Sequence, residues 1–185
     1  MDALGRHYLE HAVREFRGLK ALADGAMQQT ADADFFRTLE SEGNSVAITV
    51  KHIAGNQRSR WTDFLTTDGE KPDRNRDGEF EALAPDTRTS LMERWEDGWR
   101  ILFDALARLG PEDLLTKVYI RGEPHTVVQA IGRQMTHYGY HVGQIVQLAR
   151  TFRGAEWTSL SIPRNKSAGF DAQRDFKSTP PPSRT

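Results

Sequence analysis

The stretch TVVQAIGRQMTHYGYHVGQIVQLARTF, residues 126–152, decides the fold class. Val127, Ile131, Met135, Tyr138, Val142, Ile145, Ala149 and Phe152 recur at spacings of three and four, which places them on one face of a helix. Thr126 with Gln129 three residues on reads as the capping box that starts it. From Arg133 to Arg150 no acidic or basic residue intervenes, so this is the least charged of the helical segments.

Working outward, three more segments carry the same period. Leu4, Tyr8, Ala12, Phe16, Leu19 and Leu22 mark the first. The second runs from about Asn44, a good N-cap residue, to about Leu65 through Val46, Val50, Ile53 and Trp61. The third begins near Asp86, just after Pro85, and repeats Leu91, Trp95, Trp99, Leu102, Leu106 and Leu109 until Gly110-Pro111 stops it. Four such segments, each ~30 Å long, bury their apolar stripes best against each other. The expected class is therefore all-α, a four-helix bundle. Residues 66–85 form a polar crossover long enough to let the second and third helices run parallel. Thr116 to Ile120, the Arg121-Gly122 turn and Glu123 predict a small hairpin before the fourth helix. Residues 1–170 read as one domain, and residues 171–185, with Pro180, Pro181 and Pro182, as a flexible tail.

Composition narrows the function. A chain of 185 residues fits one domain of typical size. Its formal charge of −1 and pI near 6.6 argue against a nucleic-acid binder, which shows a basic excess or patch. With no cysteine, disulfides, thiolate metal sites and a cysteine nucleophile are all excluded. No apolar run approaches a membrane span, and the first residues lack the apolar core of a signal peptide. A cytoplasmic protein acting on a small molecule is the expectation.

Of six histidines, two pairs stand at i,i+4: His7/His11 and His137/His141. That spacing puts both imidazoles on one helix face, where they can share a metal. Spacing does not choose between the pairs. His7 and His11 lie among Arg6, Glu10, Arg14 and Glu15 and read as a solvated face. The zinc-protease pattern is excluded, because Tyr138 follows His137 where that pattern needs glutamate. The second segment offers a further polar stripe, Thr49, His52, Asn56 and Ser59, and the fourth offers Gln134, His137, His141 and Gln144. Two polar stripes inside a bundle destabilise it unless they face each other across a ligand or ordered water.

Val50-Lys51-His52-Ile53-Ala54-Gly55-Asn56 and His137-Tyr138-Gly139-Tyr140-His141-Val142-Gly143-Gln144-Ile145, with Ser159 to Ser167 after them, resemble the DinB-like (YfiT-type) superfamily over about residues 1–170. The last segment is similar to an uncharacterised bacterial branch of it. The resemblance implies an up-down-down-up bundle, often a homodimer, holding a divalent metal, zinc or nickel, on three histidines: here His52, His137 and His141. It also implies a transferase that uses a low-molecular-weight bacterial thiol as cosubstrate. Asn56 and Gln134 are the candidates for orienting substrate or water. A hydrolase using bound water and a non-enzymatic metal- or ligand-binding dimeric module are the alternatives. Hydrolysis lacks a base, since no Asp or Glu lies on the inner stripes of the second or fourth segment.

Overall fold

The computed structural model describes residues 2–81, 83 and 85–169; the predicted tail, 171–185, lies outside the described residues. The chain is mostly helical: α1 (Asp2–Gln28), a single-turn α2 (Asp32–Phe35), α3 (Val46–Trp61), α4 (Arg88–Ala107) and α5 (Val127–Arg153). A small antiparallel sheet, β1 (Lys117–Ile120) with β2 (Glu123–Thr126), precedes α5. Among the described residues no helix is long and apolar enough to cross a membrane.

Local chemistry explains these boundaries. The Thr126 hydroxyl accepts from the Gln129 N–H, and the Gln129 side chain accepts from the Thr126 N–H, so the capping box forms as predicted. At α3 the cap is Ser45 rather than Asn44, its hydroxyl accepting from Ile48 N at 3.1 Å. Both residue types cap well, and composition does not separate neighbours. α4 starts after Thr87, which exchanges bonds with Ser90. The hairpin turn is the two-residue kind, with positive φ at both Arg121 (58°) and Gly122 (76°), which matches the right-handed twist of the strands.

The core gathers Phe16 of α1, Trp61 of α3, Trp95 and Trp99 of α4 and Tyr138 of α5, each at most 2% exposed. Phe16 meets Trp61, Trp99 and Tyr138 at centroid separations of 6.1, 6.4 and 5.9 Å. Trp95 and Trp99 are thus core residues. Leu4 is 76% exposed, so the apolar face of α1 begins a turn later than its sequence period suggests.

Packing contacts follow a definite order. Between α1 and α5, Tyr8 meets Val128, Leu19 meets Gly139, and Gln29 bonds Thr158 beyond the end of α5. Lys51 of α3 meets Asp86 just before α4, and Ala54 and Gln57 lie against Gly98. Along α1 and α4 the order reverses, from Arg17 with Phe103 through Lys20 with Glu96 to Met27 with Arg88.

α3 is covered on nearly every side and leaves only Ile48, Gly55 and Arg58 unburied. Its buried polar residues are where the crossover attaches. Ser59 and Arg60 hold the Gly69 carbonyl, and Arg60 also reaches Glu70 at 3.0 Å. Lys51 holds the Glu81 carbonyl at 2.9 Å and Asp86 at 2.7 Å. Asp68 in turn accepts from Arg121 N and Gly122 N, tying the crossover to the hairpin turn.

Candidate metal centre

α3 and α5 bring three imidazoles together. A ring nitrogen from each of His52, His137 and His141 lies within 4.8 Å of the others. His52 Nε2 and His137 Nε2 are 3.2 Å apart. Two nitrogens on one tetrahedral zinc, each ~2.0–2.1 Å from it, stand ~3.3 Å apart. The rings meet edge-on, with centroids 4.7–5.3 Å apart and planes at 66–88°.

Hydrogen bonds on the outer nitrogens fix the protons. His52 Nδ1 is 2.8 Å from Glu79 Oε2; a carboxylate only accepts, so Nδ1 carries the proton and Nε2 is bare. His141 Nδ1 donates to Gln144 Oε1 at 2.8 Å, which leaves its Nε2 bare as well. His137 Nε2–H then donates across the 3.2 Å contact, and its Nδ1 is buried with no partner among the described residues. One N–H cannot satisfy both bare nitrogens. Leaving a buried acceptor unpaired costs about 1–3 kcal/mol; a divalent cation would take the Nε2 lone pairs of His52 and His141 and, with the His137 proton on Nδ1 instead, that of His137 as well. The donor set therefore fits a metal ion of the kind imidazole serves: zinc, nickel, copper or iron.

Burial keeps the His137 and His141 rings neutral, which ligation requires. Burial first, then the charges of His141, His52, Arg60 and Arg74, pushes His137 down to about 3. His141 is also lowered by burial, against the raising effect of its bond to Gln144. Glu79 behaves oppositely: burial raises its carboxyl, but His52 and Arg74 outweigh that and hold it below the usual range.

Glu79 is the site residue that the sequence did not reveal. It comes from the crossover, in a 3₁₀ turn over Asp77–Phe80, where no periodicity marks an inward position. Arg74 Nε and Nη2 each donate to it at 2.8 Å. Gly55 was the available signal, because a Cβ there would collide with the Glu79 carboxylate. Phe80 then lies 4.6 Å from the His52 ring, and Tyr140, 64% exposed, lies 4.9 Å from His141.

The remaining candidates separate. His7 is exposed, and His11 pairs with Arg14 and Glu15 on the α1 surface, away from the cluster. Asn56 is buried, and its side-chain oxygen accepts from Tyr138 Oη at 3.0 Å. Gln134 shares the α5 face of His137 and His141, and its buried Oε1 has no partner among the described residues. His125 bonds the Glu123 carbonyl within the hairpin.

No curated protein and no solved structure matches the chain. The family model described as "Protein of unknown function (DUF1572)" matches residues 3–166, and the chain, with its three clustered imidazoles, belongs to that family.

Proposed function

We propose that the protein is a metal-dependent transferase of the DinB-like superfamily, which holds zinc or nickel on His52, His137 and His141 and uses a low-molecular-weight thiol as cosubstrate. The observation that carries this reading is the convergence of three ring nitrogens, two of them bare because the Nδ1–H groups on the far side donate to Glu79 and Gln144. When bound, a divalent cation with three protein ligands keeps a position for an outside ligand and acidifies a thiol placed there. A chain without cysteine has to receive that thiol from solution. Gln134, with its unpaired oxygen one turn before His137, would accept a hydrogen bond from the substrate or from bound water and so orient it. Asn56 would act through Tyr138, whose position it sets.

Glu79 does not supply the base that hydrolysis lacks. Oε2 accepts from His52 Nδ1, on the side of the ring turned away from the other imidazoles, both oxygens accept from Arg74, and these bonds hold the carboxyl below its usual range, which makes it a weak base behind the site. Thiol chemistry needs no such base. The contact order supports the up-down-down-up bundle of that superfamily: partners ascend together along α1 with α5 and α3 with α4, and oppositely along α1 with α4. The test is to incubate zinc- and nickel-loaded protein with a panel of bacterial thiols and a chromogenic electrophile. Metal-dependent loss of thiol is the expected result, and none across the panel would contradict the reading.

A further inference from the structure

Resting on that metal reading, we infer that Glu79 is the positioning residue of the site. Its carboxylate holds His52 in the Nδ1–H tautomer, with Nε2 bare toward the other rings, and so couples docking of the crossover to uptake of the cation.

Four observations carry this. The His52–Glu79 contact is 2.8 Å long between side chains only 4% and 8% exposed, so no water competes for the proton. Arg74, itself 5% exposed, grips Glu79 with two parallel bonds and is held in turn by Glu70 at 3.2 Å. That fork fixes the carboxylate plane as well as its position. Gly55 clears the space in α3 that the carboxylate occupies. Phe80, the next residue, covers the His52 ring.

Buried ion pairs of this kind seldom add stability over apolar packing of the same volume. Setting the proton position on a ligand ring is a task apolar packing cannot perform. Removing a carboxylate behind a metal-bound imidazole typically weakens metal binding ~10–100-fold. Glu79 reaches His52 only while residues 70–81 are docked on α3. Docking and metal binding therefore favour the same tautomer, and each strengthens the other by linkage.

The test uses the full, untagged chain. In the double variant Arg74→Leu with Glu79→Leu, one positive and one negative charge go together, so net charge and packing volume are kept while the acceptor is lost. Nitrogen-15 spectra of the metal-free protein report the His52 tautomer, and competition titration with Zn²⁺ reports affinity. The wild type is expected as the pure Nδ1–H form; the double variant is expected as a mixture, binding zinc ~10–100-fold more weakly. Asp77→Asn, which removes a 96% exposed carboxylate from the same turn without touching Arg74, Glu79 or His52, should keep the wild-type tautomer and affinity. A folded double variant with wild-type tautomer and affinity overturns the inference. If the double variant does not fold, amide exchange across residues 70–81 of the wild type decides: slowing on zinc addition supports the coupling, and no change overturns it. A wild type that takes up no zinc overturns the metal reading and the coupling, while its tautomer spectrum still decides whether Glu79 holds His52.

Discussion

Tyr138 shows how one residue joins core to site. Its hydroxyl receives the Trp61 indole N–H at 3.1 Å and donates to Asn56 at 3.0 Å, one position along α5 from His137. Tyr138→Phe orphans two buried groups, each costing about 1–3 kcal/mol, so urea unfolding should show a loss of at least about 2 kcal/mol. A smaller loss would mean that those groups find other partners. Gly55→Ala addresses the neighbouring contact: the added methyl collides with Glu79, and zinc affinity should fall even where the thermal midpoint barely moves. At this scale the histidines were legible, because i,i+4 spacing on the least charged helix and a polar stripe on a second one both survive in one dimension, and the resemblance then joined His52 to His137 and His141. Glu79 was not. Its place depends on Gly55, Arg74 and His52 together, a relation among three parts of the chain that no local pattern records.

The long helices and the hairpin were legible for the opposite reason: period, caps and turn residues are local. The capping box of α5 is testable in isolation. Thr126→Ala removes the acceptor for Gln129 N and should cost about 1 kcal/mol, read by thermal or urea unfolding; no loss would mean that the end of β2 fixes the helix start unaided. What escaped at this scale was short or two-sided. α2 is a single turn held by buried Phe35, too brief to show a period. α3 had a visible apolar stripe and a polar one beside it, but the burial of Lys51 and Arg60 was hidden, because both are charged and find their partners in the crossover. Residues 66–85 read as a polar crossover; residues 66–81 pack over α3.

Across the whole molecule the buried charges set the response to acid. Burial raises the carboxyls of Glu70, Glu79 and Asp86, but the side chains that donate to them (Arg60 and Arg74, His52 and Arg74, and Lys51) more than offset it and hold them below their ordinary range. The unfolded chain takes up these protons first, near pH ~4, so their contribution is complete above that pH and disappears as pH falls through the lower folded values. His137 and His141, also lowered, act with the same sign from ~6.5 downward, because the unfolded state protonates while the folded rings stay neutral. The urea midpoint of metal-free protein should therefore drop from pH 8 to 6, and again, more steeply, below 5. A midpoint that rises on acidification would contradict this electrostatic picture. The central claim is that His52, His137 and His141 close on one cation, and metal content settles it most directly. Mass spectrometry on untagged protein should find a single divalent ion per chain in the wild type and almost none in His137→Ala; equal metal in both, or none in the wild type, would contradict the account.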